Sequence, residues 1–285
     1  MGGHLSVAIT GASGRMGGEL LAAAADSDDV GFVLAASRTP EAVPSGDAPN
    51  APDAIVADDD LGAALGEHDV DVLVDFTVPD ASVEYLQTAA EHGVAVVVGT
   101  TGYDEAGEAT LDAVANEVPF LRASNFSRGV AALRRAVREA VAALPGYDIE
   151  VTETHHNGKR DAPSGTALTI LDDIDEARGA GGDASESGEN DAERVHGRVG
   201  DQPREGDEIG VHARRAGDVT GEHEILLAGN DEVLELTHRA GSRGIFAAGA
   251  LDAAAWLAGR DAGRYDFDEV LDADSEDHAT ETHTQ

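Results

Sequence analysis

The chain has 285 residues, 41% of them hydrophobic, which gives room for one large domain or two moderate ones with packed cores. Aromatics make up 4% and cysteine is absent, so Ala, Val and Leu must build the core, and disulfides, thiolate metal sites and cysteine nucleophiles are excluded. The net charge of −37 is spread along the whole chain, which marks a folded protein adapted to very high salt, where self-repulsion is screened within about 3 Å, and rules out nucleic acid because phosphate would be repelled.

Leu5–Thr10 reads as a buried strand, too short for a signal segment, and runs straight into a glycine loop. No apolar run approaches the ~18 residues of a membrane span, so the chain is expected to be soluble and cytoplasmic, with no membrane partner. The helix Gly17–Ala25 follows, then a strand at Gly31–Ala36 and another at Val70–Phe76. Asp58-Asp59-Asp60, between them, reads as a solvated turn and helix start. Ser82–His92 is helical, Val94–Val98 a strand, Glu105–Asn116 a helix and Phe120–Ala123 a short strand. Strands with apolar runs alternate with helices, the pattern of a doubly wound parallel sheet buried on both faces.

After Asn125 the pattern changes. Gly129–Leu144 is a helix with Val130, Leu133, Val137 and Val141 at helical spacing. Strands are expected at Tyr147–Thr154, Ile209–Ala213, Glu222–Leu227 and Asp231–His238, and a last helix at Gly249–Ala258, with Trp256 in its core face. The fold class is therefore α/β: a Rossmann-type doubly wound parallel sheet, then a second α+β domain on an open mixed sheet. The boundaries drawn are 1–126 with 244–271 for the first domain, 127–243 for the second, and an acidic disordered tail at 272–285. Residues 172–194 and 266–285, rich in acids, Gly and Ser, read as solvated and disordered.

Gly11-Ala12-Ser13-Gly14-Arg15-Met16-Gly17 lies between the first strand and the first helix, where a dinucleotide pyrophosphate meets a helix N-terminus. Ser13 stands where the usual fingerprint has glycine. The end of the second strand is Ser37-Arg38-Thr39. An acid there would favour NADH through the ribose hydroxyls; Arg38 can instead pair with a 2′-phosphate. NADPH is the preferred cofactor, with NADH possible.

Two histidines and the only lysine of the chain fall within five residues, at His155, His156 and Lys159. The other 18 basic residues are all arginine, so Lys159 marks a place where an ammonium that can release a proton is needed. Pro163-Ser164-Gly165-Thr166 opens a helix whose free N–H groups and hydroxyls suit an anion. No third ligand at regular spacing suggests a metal. Five arginines and no acid lie between Arg122 and Arg138, which can focus anions toward a cleft. His212, His223 and His238 read as strand hydrogen-bonders.

These segments resemble the dihydrodipicolinate (4-hydroxy-tetrahydrodipicolinate) reductase family: His155-His156 with Lys159 and Asp161-Ala162-Pro163-Ser164-Gly165-Thr166, and also Gly11–Gly17, Asp75-Phe76-Thr77, Gly99-Thr100-Thr101-Gly102, Ser124-Asn125-Phe126-Ser127, Arg215-Ala216-Gly217-Asp218 with Gly221-Glu222-His223, and Thr237-His238-Arg239 followed by Ser242-Arg243. The resemblance runs in order over roughly residues 5–271. The departures are the acidic stretches and Ser37, where many relatives carry an acid. It implies NAD(P)H-dependent reduction of a small cyclic dicarboxylate in diaminopimelate and lysine biosynthesis, and a homotetramer formed through the second domain's sheet. By the same resemblance, Gly11, Ala12, Ser13, Gly14, Arg15, Met16, Arg38, Gly99, Thr100, Thr101, Ala123, Ser124, Asn125 and Phe126 contact the cofactor. His155 is the general acid, Lys159 donates a proton or polarises the site, and His156, Lys159, Gly165 and Thr166 bind the substrate carboxylates. Two other readings fit the glycine loop: a nucleotide sensor without turnover, which leaves Lys159 unexplained, and a sugar or aldehyde dehydrogenase, which would carry a Lys-Pro pair that this chain lacks.

Overall fold

The computed structural model of the chain describes residues 4–180, 192–206 and 208–273. In chain order the elements are β1 (Leu5–Thr10), α1 (Arg15–Ala25), β2 (Val30–Ser37), β3 (Ala54–Ala57), α2 (Leu61–Glu67), β4 (Val72–Asp75), α3 (Pro79–Glu91), β5 (Ala95–Val98), α4 (Glu105–Glu117), β6 (Pro119–Arg122), α5 (Arg128–Ala143), β7 (Asp148–His155), α6 (Gly165–Ala180), β8 (Glu193–Val195), β9 (Glu208–Arg215), β10 (Glu222–Gly229), β11 (Glu232–Arg239), α7 (Gly244–Leu257) and β12 (Gly263–Tyr265). The chain divides into two compact units, one reaching to Arg128 and resuming at Arg243, the other spanning Gly129–Ser242.

The first unit is built on a seven-stranded sheet in the order β12-β6-β5-β4-β1-β2-β3, parallel throughout. Its strands are short runs of Val, Ala, Leu and Ile because both faces are covered. Ala8, Leu34, Leu73 and Val96 pack with Leu61, Leu65, Tyr85, Leu86 and Leu111 from α2, α3 and α4. Strand neighbours of opposite parity, Val7, Ile9, Val72 and Val74, are also wholly buried, and α1 and α7 pack on this sheet and on one another. The sequence order reverses direction across the sheet between β1 and β4, which sets a crevice at the C-terminal ends of those strands.

The second unit holds a five-stranded mixed sheet, β11-β10-β7-β9-β8. β10 runs antiparallel to β7 and β11, while β7, β9 and β8 are parallel. Val137 and Val141 of α5 and Ile170, Leu171 and Ile174 of α6 cover one face, against Ile149, Val151, Ile209, Val211, Ile225 and Leu227. Each such side chain, fully buried, stabilises the unit by about 1.5–3 kcal/mol.

Several sequence expectations need correction. Residues 172–180 are the second half of α6 rather than disordered: Ile174 is fully buried, and Asp173 is 4% exposed because Arg134 and Arg138 of α5 bind its carboxylate at 2.7 and 2.8 Å. Residues 181–191 lie outside the described residues. Residues 267–273 are helical, with Phe267 and Val270 buried, so the disorder expected from 266, and the tail drawn from 272, begin too early. The rest of that tail, 274–285, lies outside the described residues. Strands β3, β8 and β12 are additional to those expected, α2 follows the helix start expected at Asp58–Asp60, and α7 starts at Gly244, ahead of the expected Gly249. Trp256 is half-buried rather than part of the core, with the Arg260 guanidinium 3.4 Å above its ring and Tyr265 against its edge. Among the described residues, no helix is long and apolar enough to cross a membrane.

Candidate active site

In the first unit, the loop from β1 into α1 makes a close turn on glycines. Gly11 has φ +63°, a backbone that side chains rarely adopt, and a Cβ there would come 2.7 Å from Thr77. A Cβ on Gly17 would meet the Gly11 carbonyl oxygen at 2.4 Å, so helix and loop can approach only because that position is bare. The Ala12 amide donates to the Ala36 carbonyl at 3.1 Å and ties the loop to β2. The first turn of α1 has no side-chain cap and no acid, which leaves its amide donors for an anion. Arg15 begins that helix and is exposed, and Met16 beside it is half-buried.

A groove of about 480 Å³ runs from this loop past the end of β2, lined by Gly11, Ser13, Gly14, Arg38, Thr39 and Thr77 among others. Ser37 is 1% exposed; its hydroxyl lies 2.7 Å from Ser13 Oγ and accepts from the Thr39 amide at 3.1 Å. Arg38 is exposed, and no ion pair engages it among the described residues. Uncapped amides, glycine clearance and a free guanidinium fit the phosphates of a dinucleotide.

Asp75 holds this crevice together. It is fully buried and accepts from Thr10 (2.6 Å), Thr77 (2.7 Å), Ser82 (2.6 Å) and Thr100 (2.6 Å), so β1, the β4 loop, α3 and the β5 loop are pinned to one carboxylate. Thr100 is thereby turned inward, while Thr101 is exposed. Gly99 lies under the Phe76 ring, which a Cβ would meet at 2.1 Å. Ala123 is half-buried and donates to the Val98 carbonyl at 3.2 Å, Ser124 is exposed, and Asn125 accepts from the Ser127 amide at 2.8 Å. The Phe126 side chain is in the core, between the rings of Phe76 and Phe267.

In the second unit, strand register assembles the chemistry. Side chains alternate along β7, so Glu153 and His155 share a face. Arg215 on β9 is the register partner of His155, and His223 on β10 is that of Glu153. Glu153 is 1% exposed and takes a bidentate grip from Arg215 at 2.7 and 2.9 Å, plus the Ser164 amide at 3.1 Å. Its other contact is Nδ1 of His155 at 2.5 Å. Burial works to raise the Glu153 carboxyl, but Arg215 and His155 outweigh it and hold it below the usual carboxylate range. An ionised carboxylate only accepts, so Nδ1 of His155 carries the hydrogen and Nε2 is left to exchange a proton. Gly221 gives Nε2 room: a Cβ there would stand 3.2 Å from it. Burial lowers the His155 pKa; Glu153 opposes this, and the charges of Lys159 and Arg215 add to it.

Lys159 pairs with Asp161 at 2.9 Å, and Asp161 is largely exposed. Such a pair is worth about 0–1 kcal/mol, so an incoming carboxylate can take the ammonium at little cost. His156, half-exposed, forms a turn in which its carbonyl accepts the Lys159 amide at 3.1 Å. Ser164 caps α6, its hydroxyl accepting from the Ala167 amide at 3.2 Å and meeting His223 Nε2 at 3.2 Å. Gly165 begins the helix with nothing over its Cα within 4 Å, and Thr166 is buried in the same turn. Burial pushes His223 down to about 4, so it is neutral. Among the described residues, no group of three or more acidic or histidine side chains could hold a metal ion.

The sequence of this chain matches two family models, "Dihydrodipicolinate reductase, N-terminus" over residues 5–126 and "Dihydrodipicolinate reductase, C-terminus" over residues 129–271. It is 52% identical over 268 residues to the 4-hydroxy-tetrahydrodipicolinate reductase of Haloarcula marismortui, covering 94% of this chain and 99% of that protein. The chain belongs to the dihydrodipicolinate reductase family. Another such reductase, from Natronomonas pharaonis, is 49% identical over 94% of this chain and its own full length. Among solved structures, a dipicolinate-bound dihydrodipicolinate reductase from Paenisporosarcina sp. TG-14 superposes with a TM-score of 0.72 at 22% identity, over 93% of this chain and 98% of that one. Both sheets therefore have a counterpart in the family's fold, and the parallel sheet is of the nicotinamide-nucleotide-binding type.

Sequence reasoning assigned no role in the chemistry to Glu153, Arg215, His223 or Asp75 in this member of the reductase family. Glu153 carried a signal, because it sits two residues before His155 on a strand. Arg215 and His223 stood in segments of the resemblance, but only the strand register brings them to His155 and Glu153. In the arginine-rich stretch 122–138, Arg122 pairs with Glu108, Arg128 with Asp252, and Arg134 and Arg138 with Asp173.

Proposed function

We propose that this chain reduces 4-hydroxy-tetrahydrodipicolinate to tetrahydrodipicolinate, with NADPH preferred over NADH. The observation that carries the reading is the pinning of His155 Nδ1 on Glu153, which frees Nε2 as the proton carrier beside Lys159 and the start of α6. The substrate of this reaction is a small cyclic dicarboxylate. Its carboxylates match His156, the Lys159 ammonium and the first amides of α6 at Gly165 and Thr166. Gly11–Met16, Arg38, Gly99–Thr101 and Ala123–Phe126 would hold the nucleotide, which would supply a hydride when bound. Water leaves the substrate, hydride adds to its conjugated C=N system, and negative charge builds on the distal atom. His155 Nε2 delivers the proton that quenches this charge, a contribution of typically 10²–10⁴-fold. Lys159 fixes the dianion and takes part in that transfer. Binding of a dianion also raises the affinity of His155 for its proton, offsetting the lowering caused by burial.

Arg38 without a carboxylate partner, beside a buried Ser37, favours a 2′-phosphate over a bare ribose. β11 is a sheet edge with Val233 59% and Leu234 37% exposed, which suits the tetramer that the resemblance implies. Cytoplasmic residence belongs to the same reading.

The test is loss of NADPH absorbance in molar KCl, with substrate made in situ from pyruvate and aspartate semialdehyde by the preceding synthase. Fast, substrate-dependent oxidation with kcat/KM higher for NADPH than for NADH is expected. A folded protein that binds NADPH tightly and never turns over would instead be a sensor, and an NADH preference would overturn the role of Arg38.

A further inference from the structure

One carboxylate in the nucleotide groove is not used by the reading above. β1 lies inside the sheet, with β2 and β3 on one side and β4, β5 and β6 on the other. A dinucleotide whose pyrophosphate rests on the start of α1 sends one nucleoside over β2 and β3 and the other over β4 and β5. Arg38 directly follows β2, so the adenosine half lies on the β2–β3 side. Asp58 directly follows β3, and its side chain lines the same groove as Ser13, Arg38 and Val78.

Tyr85 of α3 donates its hydroxyl to Oδ2 of Asp58. Burial, joined by the bond to Asp58, pushes that phenol above its ordinary range, so it stays a donor. Oδ1 of the same carboxylate is shielded from water and has no hydrogen-bond partner. It does not cap the turn that it opens. A shielded carboxylate oxygen without a donor is costly, and a ligand that supplies the donor recovers that cost. Around it, Val78 (54% exposed) and Ala81 offer apolar surface, and Arg38 a planar guanidinium, as walls for a flat base.

We propose that Asp58, held by Tyr85, accepts the 6-amino group of adenine and makes the groove selective for adenine dinucleotides. The proposal rests on the cofactor reading above and goes beyond it by naming what reads the base. A 6-oxo purine would set a carbonyl oxygen against the carboxylate, two acceptors with no hydrogen between them.

The experiment is calorimetric binding of NADP⁺ and of deamino-NADP⁺, which has hypoxanthine in place of adenine, to the intact protein in molar KCl. Wild type should bind the deamino compound roughly ten- to a hundredfold more weakly, the range for losing a charge-assisted hydrogen bond. Asp58→Asn, whose amide can turn its N–H toward the 6-oxygen, should bring the two affinities within a few-fold of one another. Tyr85→Phe, which leaves the carboxylate in place, should keep the preference for adenine. Equal affinities in wild type, or an Asp58→Asn variant that weakens both ligands alike, would overturn the proposal while leaving the cofactor reading intact. Binding of neither dinucleotide would sink both.

Discussion

Asp75 and Glu153 are buried carboxylates, one in each unit, with very different company. Asp75 accepts four neutral hydroxyls and has no ion pair among the described residues. Glu153 is gripped by a guanidinium, an imidazole and one backbone amide. Both answer the same demand, since a desolvated charge must have its lone pairs filled. Hydroxyls fill them without exchanging protons, so Asp75 fixes the spacing of loops and nothing else. An imidazole fills one of them with a group that titrates near neutrality, so Glu153 also sets the proton affinity of its neighbour. The first unit, by this contrast, works through shape, and the second through protons.

The contrast can be broken at three points. The largest effect is expected from Lys159→Arg, which keeps the charge but removes an acid that can release a proton. Turnover should fall about 10²–10⁴-fold with little change in KM; near-wild-type kcat would refute a proton-donor role. Next is Glu153→Gln, with kcat/KM at neutral pH falling roughly ten- to a hundredfold. Its sharper readout is the pH profile. An acid acts only while protonated, so activity is lost as pH rises through its pKa. Glu153 raises that pKa, and removing its charge should move the loss to lower pH. A limb that stays in place would show that His155 is not the titrating acid. The smallest effect is expected from Asp75→Asn, where one hydroxyl must turn round to accept. Cofactor binding should weaken by about 1 kcal/mol, some fivefold in KM, while kcat and its pH dependence hold. A shifted pH limb in that variant would erase the distinction between the two carboxylates.

Much of the first unit was legible because its strands are buried on both faces: Val94–Val98 can hardly be anything else. β3 was hidden by its setting, with Pro52 and Asp53 before it and three aspartates after it. β8 and β12 are three residues long, too short for a period to show. The end of α6 misled for another reason. Asp172, Asp173, Asp175 and Glu176 look like solvated chain, yet Leu171 and Ile174 continue the apolar stripe, and Asp173 is neutralised from α5 thirty-five residues back. Local composition cannot report a partner that arrives by tertiary packing. The candidate site divides the same way. His155, Lys159 and Ser164–Thr166 stand together in the chain and were found together. Arg215 lies 62 residues from Glu153, and only the pairing of β7 with β9 brings it there.

The pairing of Lys159 with Asp161 has a practical consequence. Every other basic side chain is a guanidinium or an imidazole, so the protein has one ε-amine, and it stands at the candidate site, about a fifth exposed. An amine-acylating reagent thus has a single side-chain address, and the label found on Lys159 itself, apart from any on the α-amine, counts competent sites. Slower labelling in the presence of dipicolinate would read occupancy without turnover, and the molecule would carry its own titratable reporter with no engineered handle.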